Sequence, residues 1–250
     1  MKECINQNPN SKNNDSSSIF QGSEIIKKSP EKMENLETVK AGLANGVAKG
    51  YPLSKVEKEK MIKDAEHAFG LFLDALKCEW RNDPNSVETP RRVAKSYVND
   101  LWKGRYDKML PIKSFPSNGY DGIVIERDIP LVSMCSHHHQ VISGKVHIGY
   151  VVGDSGQVIG LSKLNRIVEL FSRRGAIQEQ LTSSIHHATD KVCEDNKGVI
   201  VSIIATHNCV SCRGVKHQGA SMVTNKATGV FLNNNNLARK EFFDSIKLNN

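Results

Sequence analysis

Aromatic side chains are scarce in this chain, at 6% of 250 residues. Proteins that hold single-stranded nucleic acid interleave aromatics with basic residues as stacking platforms, and no stretch here does so. Long apolar runs are missing too; none approaches the roughly 18 residues of a membrane span. The N-terminal MKECINQNPNSKNN carries no apolar core of a secretory signal. Arginine is absent until Arg81, which excludes the arginine-rich transit peptide of an organelle protein. These absences point to a cytoplasmic protein with no membrane partner and no nucleic-acid partner.

Cysteine is sparing: six, at 4, 78, 135, 193, 209 and 212. An even count invites disulfides, but without a secretory signal, and with two of the six close to histidines, reduced thiolates in a reducing compartment fit better. Hydrophobic residues at 38% and charged ones at 24% are ordinary for a soluble domain with a polar tail. The net charge of +7 favours an anionic partner such as a nucleotide or phosphate, without choosing among anions.

Residues 1–50, rich in Asn, Ser, Lys and Glu, bury too little apolar surface to offset their ordering entropy and read as a disordered polar tail. Order is expected from about Ser54, where Ser54-Lys-Val-Glu57 has the form of a capping box. Ile62, Ala65, Phe69, Phe72 and Leu76 then recur at helical spacing to about residue 78. Thr89-Pro90 opens a second helix, as cap and first-turn proline, with Val93, Tyr97 and Leu101 on its apolar side. The division is a helical region over 51–120 and a second domain over 121–250. Strands are expected at 123–134, 141–152, 199–206 and 221–231. The second alternates as a half-buried strand should, and the third is apolar on both faces and so central. Helices are expected from a cap at Ser162 to about Arg174, from Ile177 to Glu194, and from Leu237 to Ile246.

Chemistry concentrates in Cys135-Ser136-His137-His138-His139. Three imidazoles beside a thiol are hard to explain as packing, since each brings a polar ring that needs a partner if buried. A solvated histidine-rich loop is the alternative. Cys135 and His138, three apart, can face one ion across a tight turn, leaving His137 for acid–base work. His207 and Cys209, two apart at the end of the central strand, share a face and can converge on the same site. A Cys135, His138 and Cys209 set matches a catalytic zinc site, in which three protein ligands leave a fourth position for water. Cys212 offers the rival reading, a closed structural site. Ser162, Lys163 and Arg166 at a helix start read as an anion site or as ordinary surface. Glu179, in the first turn of the next helix, equally suits the helix dipole.

Together these segments resemble the GTP cyclohydrolase I family over residues 55–247. The resemblance rests on Thr89-Pro-x-Arg92-Val-Ala-Lys95, Cys135-x-His137-His138, Gly144-Lys-Val-His-Ile-Gly-Tyr150, Ile159-Gly-Leu-Ser-Lys163-Leu-Asn-Arg166, Gln178-Glu179-Gln-Leu-Thr182, Ala205-Thr-His207-x-Cys209 and Arg213-Gly-Val215. It implies zinc ligands Cys135, His138 and Cys209, and catalytic histidines His137 and His207. It further implies guanine recognition by Gln178 and Glu179, and ribose–triphosphate contacts from Arg92, Ser162, Lys163, Arg166 and Arg213. The implied reaction opens the purine at C8, releases formate and closes 7,8-dihydroneopterin triphosphate, the entry to tetrahydrofolate or tetrahydrobiopterin. The implied fold is an α/β (α+β) tunnelling fold, an antiparallel sheet packed with long helices, assembled as a barrel-forming homodecamer with sites between subunits. The chain departs from the family pattern at Ser136, where an acid is usual, at His139, and at Gly175-Ala176, where bulkier residues are common. The departures leave three alternatives open: a partial, ring-opening activity, another purine nucleotide or a pterin-type substrate, and a non-catalytic zinc-stabilised binding module.

Overall fold

The capping box forms as its spacing predicts. In the computed structural model, which describes residues 46–193, 195–232 and 237–247, helix α1 runs Lys55–Ala75. The Ser54 hydroxyl accepts from Glu57 N–H while the Glu57 carboxylate accepts from Ser54 N–H at 2.8 Å. The expected tail lies outside the described residues as far as 45. From residue 46 the chain is already held: Val47 is buried, and Ala48 N–H donates to the Arg105 carbonyl at 2.9 Å. Packing therefore begins before the capping box does.

Helix α2 runs Thr89–Ser96 with Glu88, not Thr89, at its cap, and continues through a π-helical turn at Tyr97–Leu101. Its buried line is Pro90, Ala94 and Val98, one residue round from the stripe expected at Val93, Tyr97 and Leu101, which is only half-buried. A tight turn at Lys103–Arg105 follows, and then the short strand β1, Ser114–Pro116.

The core is a four-stranded antiparallel sheet, β2 (Ile123–Met134), β3 (Val141–Val151), β5 (Gly198–His207) and β6 (Ser221–Ala227), in that spatial order. Strand β4, Gln157–Ile159, pairs with β1 apart from it. Helices α3 (Leu161–Ser172) and α4 (Gln178–Val192) connect β4 to β5 and lie on one face of the main sheet. Their inward residues Leu164, Ile167, Phe171, Leu181 and Ile185 meet Val146, Ile148, Val201 and Ile203, the helical stripes that the periodicity predicts.

Two expectations change. The helix expected to start at a Ser162 cap begins at Leu161, capped by Gly160, which leaves β4 in extended backbone. Strand β3 is buried on both faces from Val146 to Tyr150, not half-buried. Its second face is covered at one end by α6 (Leu237–Lys247), whose Phe242 packs with Ile200 and Phe231. Gly149 permits this approach, since a Cβ there would lie 2.8 Å from the Phe242 ring. No described helix is long and apolar enough to cross a membrane.

Candidate functional site

Sheet register brings the histidine run and the end of β5 together. Ile142, at the start of β3, pairs with His207, the last residue of β5. The β2–β3 connection carrying Cys135–Gln140 therefore stands beside the short helix α5, Asn208–Ser211. That connection is a hydrogen-bonded helical turn. His139 N–H donates to the Cys135 carbonyl at 3.0 Å, and Cys135 N–H to the Gln140 carbonyl at 2.9 Å. The α3–α4 link stitches it down from the other side: Ala176 N–H donates to the Met134 carbonyl at 3.0 Å, and Ser136 N–H reaches the Ala176 carbonyl at 3.4 Å. Ala176 is fully buried, and Gly175 has φ +71° with the Trp102 indole nitrogen 2.9 Å from where a Cβ would be. Small residues at 175 and 176 are thus what this approach admits.

Cys135 is buried, and its thiol is in hydrogen-bonding contact with that of Cys209. Burial, and after it the adjacent Cys135 sulfur, push the Cys209 thiol up, while the Arg213 charge acts the other way. His137 and His138 are exposed on the turn, their rings 6.3 Å apart and near perpendicular. Among the described residues no three His, Cys, Asp or Glu side chains are grouped closely enough to hold a metal ion. Two of the three expected ligands meet, and His138 stands off from them. Cys212 is exposed and donates its thiol hydrogen toward the Asn208 carbonyl at 2.6 Å and Gln140 Oε1 at 3.3 Å.

His139 is where sequence reasoning found no role. It takes left-handed backbone at φ +52°, ends the turn, and sets its ring edge-on to Trp102 with centroids 5.2 Å apart. Its Nδ1 lies 3.4 Å from the Tyr97 hydroxyl. The histidine thereby ties the cysteine turn to the segment after α2. Aromatic residues at 97 and 102 are the signal, but only the fold shows what they meet.

His207, on the helix-facing side of β5, is half-buried. Burial pushes its pKa down, and the charge of Glu179 partly opposes that. Its Nε2 lies 2.7 Å from Gln178 Oε1. Gln178 does not sit where a guanine contact was expected. It is fully buried, and its amide nitrogen donates to the Ile203 carbonyl, the Met222 carbonyl and Thr224 Oγ1 at 3.0–3.2 Å. Both ends of the side chain are engaged within the protein. Glu179, the next residue, is exposed, because one step along a helix turns a side chain by about 100°.

Ser162, Lys163 and Arg166 lie in the first two turns of α3, Ser162 and Arg166 exposed and Lys163 half-buried. Arg166 lines a cleft of about 230 Å³ with Lys103, Lys108 and Glu169, where Lys103 pairs with Glu169 at 2.7 Å. Arg92 and Arg213 are exposed. A cavity of about 530 Å³ between α1 and α2, lined by Lys63, His67, Trp80 and Arg81, includes none of the expected site residues.

A family model described as GTP cyclohydrolase I matches residues 65–247. GTP cyclohydrolase 1 of Bacillus mycoides (strain KBAB4) is 37% identical over 192 residues, covering 75% of this chain and 97% of that protein. GTP cyclohydrolase 1 of Mycobacterium tuberculosis (strain ATCC 25618 / H37Rv) is 40% identical over 161 residues, 64% of this chain and 78% of that protein. The enzyme of the same name from Corynebacterium glutamicum is 40% identical over 162 residues, 64% and 81%. Among solved structures, an archaeosine synthase QueF-Like in the apo form matches 44% of this chain and 96% of that chain at 15% identity and a TM-score of 0.37, a likeness too weak to bear on fold or function.

Proposed function

The chain belongs to the GTP cyclohydrolase I family, and on that premise we propose that the meeting ends of β2 and β5 form its zinc-dependent active site. The protein is an enzyme acting on GTP. The reaction is hydrolysis and rearrangement of GTP to 7,8-dihydroneopterin triphosphate with release of formate. The observation that carries the site is the contact between the Cys135 and Cys209 thiols with His207 two residues away.

The donor set suits zinc. Two adjacent thiols, one of them raised, resist ionisation by themselves; a divalent cation between them reverses that. Cys135 and His138 occupy the first and fourth places of one hydrogen-bonded turn, and residues so spaced share a side, which supports His138 as the third ligand. Bound there, zinc supplies a Lewis acid and a water of lowered pKa. The other work falls to side chains. His207, kept neutral by burial, takes up and returns a proton near the reacting centre. His137, exposed on the turn, is the second proton carrier. Glu179 accepts from the guanine N–H groups. Arg92, Lys163, Arg166 and Arg213, with the Ser162 hydroxyl, meet the triphosphate, where cations beside a helix start favour phosphate oxygens.

The order strand–strand–helix–helix–strand–strand around one antiparallel sheet supports the tunnelling-fold reading for residues 121–250. A homo-oligomer is supported by apolar side chains left bare on α1: Phe72 is 53% exposed and Leu76 58%. Such surface on a helix marks an interface, and the family resemblance makes the assembly a decamer closing a barrel. Reduced thiol ligands fit a cytoplasmic location. The test of the site is His207→Ala. Formate release should fall by about 10²–10⁴-fold with bound zinc unchanged, and loss of the metal along with activity would assign His207 to the ligand set instead.

A further inference from the structure

The hydrogen bonds around Gln178 leave only one way to distribute their protons. The carbonyls of Ile203 and Met222 can only accept, so the atom of the amide 3.2 and 3.0 Å from them is its NH2. The other end, 2.7 Å from His207 Nε2, is therefore the oxygen. An amide oxygen has no proton to give, so His207 Nε2 must carry one. Two threonines close the network. Thr182 Oγ1 donates to the Gln178 carbonyl at 2.8 Å, so the 2.6 Å contact between the two hydroxyls is a bond donated by Thr224. Thr224 Oγ1 then has a lone pair for the Gln178 amide at 3.1 Å. Each donor has an acceptor, and inverting the amide would set its oxygen against two carbonyl oxygens inside a fully buried site.

We infer that Gln178 is a positioning residue: it fixes His207 as the Nε2–H tautomer and leaves Nδ1 as the one ring nitrogen able to accept a proton. Its work is done through His207, without touching substrate. Backbone supplies the rigidity, since Ile203 and Thr224 are cross-strand partners on β5 and β6 and Gln178 is the first residue of α4. A neutral imidazole in the other tautomer would turn its only lone pair into the amide oxygen and have no base to offer. The catalytic consequence rests on the proposed role of His207; the tautomer does not.

The test uses the full-length, zinc-loaded enzyme with ring-15N histidine. The His207 resonances are assigned by their loss in His207→Gln. The expected pattern is a proton-bearing Nε2 and an unprotonated Nδ1. In Gln178→Met, that pattern gives way to a mixture of tautomers, and kcat for formate release falls at least about 10-fold while KM for GTP stays within about 3-fold. A proton on Nδ1 in the unsubstituted enzyme overturns the inference without recourse to any Gln178 variant. So does a Gln178→Met enzyme with raised KM and unchanged kcat, which would make Gln178 a substrate contact. Full turnover by His207→Ala would remove the catalytic consequence and, with it, the proposed role of His207, while the ring measurement would still decide the tautomer.

Discussion

Cys212 has the right spacing from Cys209 to close a four-ligand site, and residue by residue the structure separates the two thiols. Cys209 meets Cys135 in the interior, whereas Cys212 is exposed and bonded to Asn208 and Gln140. Cys212→Ser should therefore leave zinc content at the unsubstituted level, measured by metal analysis after gel filtration, whereas Cys209→Ser should lose most of it. Zinc lost from the Cys212 variant alone would revive the closed, structural site. The same scale explains what the histidine run could and could not reveal. Spacing distinguished Cys135 and His138 from His137, because a turn sorts side chains by position. His139 carried no such cue; its ring is used against Tyr97 and Trp102, about 40 residues earlier in the chain. Nothing in the structure explains why Ser136 stands where the family pattern has an acid.

Among elements, those set by local pattern were legible and those set by their neighbours were not. The capping box of α1 needs only four consecutive residues, and strand β2 matches its expected bounds of 123 and 134. The double burial of β3 depends on α6, almost 90 residues further on, and alternation within β3 cannot report it. Residue pairing likewise misled at Gln178 and Glu179, adjacent in sequence but turned to different surroundings by the helix. The cover that α6 provides is worth measuring. Phe242 is fully buried against Phe231 and Ile200, so Phe242→Ala should cost about 3–5 kcal/mol in urea unfolding, with the folded state still retaining its zinc. A cost under about 1 kcal/mol would mean that α6 is not held on the sheet.

For the whole molecule, buried imidazoles outside the site set the response to acid. His147 accepts from Asp128 N–H at 3.2 Å, and His186 lies 3.2 Å from both the Val199 carbonyl and Thr228 Oγ1. Burial pushes both pKa values below the ordinary histidine value of 6.5. The unfolded chain then binds protons that the folded one refuses. Stability from this source is complete above about pH 6.5 and drains away as the pH falls toward the depressed folded values. The urea midpoint should accordingly be level from about pH 8 to 7 and decline below about 6.5; a midpoint that climbs on acidification would contradict the burial of these rings. The assignment of the chain to its family makes a more direct demand on the whole enzyme. Purified protein, stripped by chelator and reloaded with zinc, should convert GTP to equal amounts of formate and a pterin that fluoresces after oxidation, and should do neither while stripped. Formate without the pterin would reduce the activity to ring opening, and no turnover of GTP with zinc bound would contradict the account.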